Sequence, residues 1–60
     1  MTLSERIILY RAKERISQTV LAERCGLTKQ TILAIENGTQ IPSKVTLAKI
    51  ELVIGKEEPV

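Results

Sequence analysis

The sequence is organised around residues 17–38, which read SQTVLAERCGLTKQTILAIENG and contain two short helical patterns separated by one glycine. Each pattern follows a residue type that caps helix N-termini and precedes a glycine, which accepts the left-handed backbone that ends many helices. The caps are Ser17 and Thr28, and the glycines are Gly26 and Gly38. This spacing predicts one helix over about residues 18–25 and a second over about residues 29–36.

Another helical pattern precedes this segment. Thr2 or Ser4 can cap a helix over about residues 2–14, and only Thr2 has a glutamate, Glu5, at the spacing of a capping box. Apolar residues then recur at helical spacing, which predicts one inward face. These residues are Leu3, Ile7 and Tyr10. We therefore expect the chain to begin with a helix.

A last helical pattern follows the segment. Ser43 can cap a helix whose apolar residues recur at helical spacing until Gly55. These residues are Leu47, Ile50, Val53 and Ile54. Because no strand pattern occurs, we predict an all-α fold, a compact four-helix domain over residues 1–55. Residues 56–60 are charged and are predicted to form a frayed tail.

The composition limits what can stabilise this domain and where it can work. A chain of 60 residues buries only about 60% of the surface that its unfolded form exposes, so its core is marginal. Cys25 is the only cysteine and histidine is absent, which excludes an internal disulfide and a Cys/His zinc site. We interpret Cys25 as a small buried apolar residue. No apolar run could span a membrane, so we expect a cytoplasmic protein without metal or cofactor.

The residues that enzymes use most often are missing. Without histidine the usual general base is absent, and adjacent acids occur only at Glu57 and Glu58, which we interpret as solvated. The three glycines each follow a predicted helix, so none belongs to a phosphate-binding loop. The sequence therefore indicates a binding protein rather than an enzyme, with no evident small-molecule ligand.

Positive charge is concentrated in the first half of the chain. The net charge is only +2, but residues 1–30 hold six lysines and arginines against three glutamates, a net +3. Residues 31–60 hold three against four, a net −1. This asymmetry is consistent with a side that faces phosphates, although it does not establish one.

Two short helices joined by a glycine turn can cross steeply, so that the second enters a DNA major groove while the first crosses the backbone. With Ile32 and Ile35 turned inward, the other side of the second helix presents Lys29, Gln30, Leu33 and Ala34. Gln30 can pair with adenine, Lys29 with guanine or a phosphate, and Leu33 with a thymine methyl. The pattern alone fits ordinary solvent-facing residues equally well.

The same stretch resembles the Xre/Cro family of lambda-repressor-like helix-turn-helix proteins. The family pattern is Ser-Gln-x-x-Leu-Ala, then Gly-x-Ser/Thr, Ile, and Ile/Leu-Glu-Asn/Lys-Gly. The matching residues are Ser17, Gln18, Leu21, Ala22, Gly26, Thr28, Ile32, Ile35, Glu36, Asn37 and Gly38. Weaker matches in the first and fourth helices extend the resemblance over about residues 3–55.

The resemblance implies roles for individual residues. The positions that would contact base edges are Gln18, Lys29, Gln30, Leu33 and Ala34. The positions that would contact phosphates are Gln18, Thr28, Thr31, Asn37, Thr39, Gln40, Ser43 and Lys44. In some relatives the counterparts of Arg11 and Glu36 form a partly buried ion pair between the first and third helices. The alternative for Arg11 is a solvated or phosphate-facing side chain.

Two departures from the family concern the ends of the domain. Position 15 often carries glycine in the family, so Arg15 leaves the shape of that turn open. Many members have a fifth helix after the position of Gly55 that completes the dimer contact, and this chain has only residues 56–60 there. We expect a replacement surface among apolar residues that the core does not need. The candidates are Ile8, Leu9, Val45, Leu52 and Val60.

Ile8 and Leu9 also have a simpler interpretation, as the edge of a wide apolar stripe that packs on the core.

The function that the resemblance implies is transcription regulation by a bacterial or phage-encoded protein. We expect a repressor that binds operator half-sites in double-stranded DNA as a homodimer, with its third helix in the major groove. The alternative is a protein-interaction module of the same fold, resembling an antitoxin or an inhibitor subunit, that acts through the first and fourth helices.

Overall fold

A computed structural model describes residues 1–55 of the chain, and these residues form four α-helices and no strand. The helices are α1 (Leu3–Glu14), α2 (Gln18–Cys25), α3 (Lys29–Glu36) and α4 (Lys44–Ile54). The predicted all-α fold is confirmed, and α2 and α3 have the predicted bounds. The tail predicted at residues 56–60, with the candidate surface residue Val60, lies outside the described residues. Within residues 1–55 no helix has both the length and the apolar character needed to cross a membrane.

Each helix begins directly after a residue that was predicted to cap it. The hydroxyl oxygen of Thr2 accepts the N–H of Glu5, and Glu5 accepts the N–H of Thr2, which completes the predicted capping box. The other three caps each accept the N–H group three residues later, an interaction that stabilises a helix by about 1 kcal/mol. They are Ser17, Thr28 and Ser43. The first turn of every helix is thus fixed locally.

The core takes one fully buried large side chain from each helix. These side chains are Ile7, Leu21, Ile32 and Ile50. Ala22, Cys25 and Ile35 complete the buried set, with α3 packed against α2 and α1, and α4 packed against the same two helices. Cys25 is buried as predicted, and burial raises the pKa of its thiol. The α2–α3 unit is therefore held from both sides by α1 and α4.

The first three helices end in the same backbone arrangement. The residue after each helix, or after its cap, has a positive φ: 55° at Arg15, 71° at Gly26 and 74° at Gly38. The N–H group of the following residue then bonds a carbonyl five residues earlier, as in a Schellman motif. These bonds join Ile16 to Arg11, Leu27 to Ala22 and Thr39 to Ala34, at 3.1, 2.8 and 2.9 Å. The turn at Arg15 thus has the geometry for which glycine is usually chosen.

Candidate nucleic-acid interface

The turn between α2 and α3 consists of three residues, Gly26, Leu27 and Thr28. Gly26 provides the left-handed conformation, and Leu27 packs against the core from within the turn. Ala22, one turn before the glycine, is 2% exposed, so only a small side chain occupies this part of the interface with the core. The result is the pair of short helices, joined by a glycine turn and packed against each other, that the glycine spacing predicted.

The two sides of α3 differ as the periodicity predicted. Ile32 and Ile35 are buried, whereas Lys29, Gln30 and Leu33 are exposed on the opposite side. Among residues 1–55 no hydrogen bond or ion pair engages the side chains of Lys29 and Gln30. Ala34 is half-buried at the edge of this exposed row. Three of the five candidate base-contacting residues therefore lie together on a surface that is open to a ligand.

Gln18, the candidate from α2, belongs to a different group of side chains. Its Nε2 donates to Oε1 of Glu36 at 3.1 Å. The same carboxylate accepts two bonds from Arg11, from Nε at 2.7 Å and from Nη2 at 2.8 Å. Arg11 also donates to the carbonyl oxygen of Ile16 at 3.4 Å. The structure thus joins α1, α2 and α3 through Glu36, and it fixes the orientation of the Gln18 amide at the start of α2.

The pKa values of this pair follow from its contacts. Burial acts to raise the pKa of Glu36, but the hydrogen bonds from Arg11 and Gln18 outweigh it, and the pKa is lowered. The hydrogen bond to Glu36 raises the pKa of Arg11. The side chain of Glu36 is 6% exposed and that of Arg11 is 23% exposed. Both groups are therefore charged at neutral pH, and Arg11 faces Glu36 rather than a phosphate.

Ser4 supports the same corner of the fold, a role that the sequence did not reveal. Instead of capping α1, its hydroxyl donates to the carbonyl oxygen of Glu36 at 2.6 Å. This bond satisfies a backbone acceptor in the last turn of α3, where the helix itself offers no donor. Ser4 and Glu36 are 32 residues apart, and no spacing rule within one helix could have connected them.

The threonines and the serine predicted to contact phosphates already make local bonds. The hydroxyls of Thr28 and Thr31 bond each other at 2.9 Å at the start of α3, and Ser43 donates to Thr46 at 3.1 Å at the start of α4. Thr39 donates both its hydroxyl and its N–H group to the carbonyl of Ala34. To contact a phosphate, the Thr39 hydroxyl would have to give up its bond to the Ala34 carbonyl. In the Thr28–Thr31 pair, one hydroxyl donates to the other, so the second O–H can point toward a phosphate while the bond between them is kept.

The remaining phosphate candidates are Asn37, Gln40 and Lys44. All three are exposed. Their side chains make no hydrogen bond or ion pair within the part of the chain that the structure describes. Asn37 and Gln40 lie between α3 and α4, and Lys44 is the first residue of α4, so all three side chains can contact a ligand at this loop.

The structure also separates the cations of the first half into two groups. Arg11 is paired with Glu36, and Arg24 lies 3.5 Å from Glu14 and 3.3 Å from the hydroxyl of Tyr10. Arg6 donates to the carbonyl oxygen of Gly55. The cations of this half without an ion pair or hydrogen bond among residues 1–55 are Lys13, Arg15 and Lys29. The positive charge available to a phosphate is therefore more localised than the sequence count suggested.

Apolar side chains remain exposed on α1 and α4. The candidate surface residues Ile8, Leu9, Val45 and Leu52 are all exposed, with Leu52 at 87%. Ile8 and Leu9 therefore do not belong to the buried part of α1, although each is partly covered. Ile41, in the loop before α4, is 92% exposed and was not among the candidates. The fold thus leaves an apolar row on each of the two helices that hold the α2–α3 unit.

This architecture, with a short helix crossing to a second helix whose polar side is open, defines a helix-turn-helix domain. A sequence profile of the helix-turn-helix family matches residues 7–59. An uncharacterized HTH-type transcriptional regulator of Methanothermobacter thermautotrophicus is 40% identical over 48 residues, covering 80% of this chain and 70% of that protein. Another, from Methanocaldococcus jannaschii, is 36% identical over 53 residues, covering 88% of this chain and 80% of that protein. No solved structure gives a significant match.

The chain belongs to the Cro/C1-type helix-turn-helix family. The family resemblance inferred from residues 17–38 is thereby confirmed. This is a family of DNA-binding transcription regulators and not of enzymes.

Proposed function

We propose that this protein is a repressor that binds an operator as a homodimer, each copy placing α3 in the major groove of one half-site. The observation that carries the proposal is the exposed row of Lys29, Gln30 and Leu33, directly opposite the buried Ile32 and Ile35. A helix of two turns with one side anchored in the core and the other side free is what a recognition helix requires. The domain that performs this function spans residues 1–55.

The three exposed residues differ in what they can recognise. The Gln30 amide offers both a donor and an acceptor, which matches the N6 and N7 edge of adenine. Lys29 contributes a flexible cation for guanine or a phosphate, and Leu33 an apolar contact for a thymine methyl. Gln18 reaches the DNA with its free carbonyl oxygen and second N–H, while Glu36 holds its orientation. Ala34 allows close approach at the edge of the row.

Phosphate contacts hold the domain in register. The N-terminus of α3 contributes Thr28 and Thr31, the loop before α4 contributes Asn37, Thr39, Gln40 and Ser43, and the first residue of α4 contributes Lys44. All of them except Lys44 are uncharged, and donors at these positions fix the orientation of the domain on the DNA backbone without distinguishing one sequence from another. The logarithm of the DNA affinity falls with the logarithm of the salt concentration, with a slope proportional to the number of cations that meet phosphates. The bonds that Thr28 and Ser43 make to Thr31 and Thr46 hold their hydroxyls at the starts of α3 and α4, which face the DNA backbone in this arrangement.

A second copy is needed because one domain is too small to discriminate an operator. The longest dimension of the domain is 31 Å, whereas half-sites one helical turn apart lie about 34 Å from centre to centre. A single recognition helix contacts only a few base pairs, and two-fold pairing doubles that information. The exposed residues Ile8, Leu9, Val45 and Leu52 supply the apolar surface for this pairing. The regulator acts in the cytoplasm, where it has access to the DNA that it binds.

Selection of bound duplexes from a random pool tests the proposal. We expect an enriched site with two-fold symmetry and half-sites about 10 base pairs apart. An enriched asymmetric site of one half would contradict the homodimer, and no enrichment together with no band shift of random duplex at low salt would contradict DNA binding. In the latter case the apolar surfaces of α1 and α4 would support a protein-interaction module instead.

A further inference from the structure

Arg15 occupies a backbone conformation that the same chain assigns to glycine elsewhere. Three helix ends share one closure, and two of them place Gly26 and Gly38 at the left-handed position. The third places Arg15 there, with φ 55° and ψ 46°. It is the one non-glycine residue with positive φ among residues 1–55. A side chain is disfavoured in this conformation because its Cβ approaches the backbone, so a residue other than glycine needs a compensating role.

The fold offers Arg15 no such compensation. Its side chain is exposed, and within residues 1–55 it makes no hydrogen bond or ion pair. The two bonds that close the turn are made by the N–H groups of Arg15 and Ile16 to the carbonyl of Arg11, and a glycine would make both. No described residue therefore accounts for the arginine, and its guanidinium is exposed to partners outside residues 1–55.

The position of Arg15 along the chain indicates what its guanidinium contacts. Arg15 immediately precedes the cap of α2, and Gln18, the first residue of α2, is held by Glu36 at the last turn of α3. In a helix-turn-helix domain the helix before the recognition helix crosses the DNA backbone. Arg11, the nearest other arginine, already donates two N–H groups to Glu36 and one to the Ile16 carbonyl. Among residues 1–55, Arg15 is thus the cation without a partner that lies closest along the chain to the N-terminal end of α2, the end that would approach the DNA backbone.

We infer that Arg15 is a phosphate-contacting residue at the N-terminal end of α2, and that its left-handed conformation is a stability cost retained for DNA affinity. The inference rests on the proposed function, because it assumes that α2 lies against the DNA backbone. It adds a contact at a position that neither the periodicity nor the family pattern marked as functional.

Three substitutions separate charge from backbone strain. Arg15→Lys keeps the charge and the strain, Arg15→Gln removes the charge only, and Arg15→Gly removes both. Arg24→Gln is the matched control, because it removes one arginine charge whose partners are Glu14 and Tyr10. Salt titration of the binding constant on the selected duplex, with thermal unfolding of the free proteins, gives both readouts.

We expect Arg15→Gln and Arg15→Gly to bind about 8-fold more weakly at 0.1 M salt and to lose about 0.9 from the slope of log K against log salt, the effect of one phosphate contact. Arg15→Lys and Arg24→Gln should keep the slope of the parent. Arg15→Gly should raise the Tm by about 4–8 °C, because the strain is relieved. A more stable protein that binds DNA more weakly is the signature of this arrangement.

An unchanged slope for Arg15→Gln and Arg15→Gly would overturn the inference, and so would an equal loss in Arg24→Gln, since that would reflect net charge rather than a contact. These outcomes presuppose that the parent binds the duplex with a steep salt dependence. If the parent shifts no duplex at low salt, the proposed function itself is wrong. The band shift of the parent, measured first, therefore distinguishes failure of DNA binding from failure of the Arg15 contact alone.

Discussion

The guanidinium of Arg11 and the carboxylate of Glu36 meet at two points, with Nε 2.7 Å from Oε2 and Nη2 2.8 Å from Oε1. The pair joins the last turn of α1 to the last residue of α3 across 25 positions of the chain. Two parallel N–H···O bonds fix both planes, so the geometry is more restrictive than that of a lysine pair. Because Gln18 bonds the same carboxylate, the ion pair connects the stability of the fold to the orientation of a candidate DNA contact.

Replacing Glu36 with alanine should lower the free energy of unfolding by about 3 kcal/mol, because Arg11, whose side chain is only 23% exposed, would lose its charged partner and keep only the 3.4 Å bond to the Ile16 carbonyl. Glu36→Gln should cost less, since the amide oxygen can still accept one bond from Arg11. Urea unfolding of the two variants and the parent measures both effects. A Glu36→Ala protein as stable as the parent would show that the pair contributes nothing.

The ion pair should also make stability sensitive to acid. The pKa of Glu36 is lowered in the folded state, so its contribution is fully present above the unfolded pKa of about 4.5 and is lost as the pH falls through the folded value. Unfolding measured from pH 7 to pH 2 should show a smaller loss below pH 4.5 in Glu36→Gln than in the parent. Glu5, whose pKa is lowered mainly by the Thr2 N–H, titrates in both proteins. Identical profiles would contradict the prediction.

Gln30 should determine specificity rather than overall affinity. Its side chain is exposed on α3 and makes no bond among the described residues, so Gln30→Ala leaves the fold unchanged. We expect a loss of about 1–3 kcal/mol on the selected site and relaxed preference at one base step, measured by binding to single-base variants. Lys29→Ala, on the same exposed side, serves as the comparison. An equal loss for Gln30→Ala on all sequences would make Gln30 a backbone contact.

Leu52 should contribute to pairing and not to folding. It is 87% exposed on α4, so Leu52→Ser removes almost no buried area from the monomer. Sedimentation should show a shift toward monomer, and affinity for the full operator should fall more than affinity for a single half-site. Ile41→Ser is the control for the sedimentation measurement, because Ile41 is similarly exposed, at 92%, but lies outside α1 and α4. A dimer that is unaffected by Leu52→Ser would place the interface elsewhere.

Cys25 should react slowly with alkylating reagents. Cys25 is only 6% exposed, which limits the access of the reagent. Burial also raises the pKa of its thiol, which lowers the fraction present as the reactive thiolate. We expect the alkylation rate in the folded protein at pH 8 to be far below that in urea. A rate that matches the unfolded protein would show that α2 opens readily at this position.

The four helices were predictable because the signals that specify them are local. A cap acts on an N–H group three residues away, and an apolar face repeats every three or four residues, so both are visible along the chain. The same rules identified the buried Ile32 and Ile35 and the open side that carries Lys29 and Gln30. The family pattern added Arg11 and Glu36 as possible partners, but only by analogy.

The sequence alone therefore determined the number of helices, their caps, the inward faces and the family. The tertiary structure decided which polar groups are already engaged. It assigned Ser4 to the carbonyl of Glu36 and the Gln18 amide to its carboxylate, over 32 and 18 positions. It also showed Arg15 in a left-handed turn, with a charge that pairs with no residue among 1–55. Contacts of this kind depend on how the helices cross, and crossing is set by the packing of the whole core rather than by any single segment.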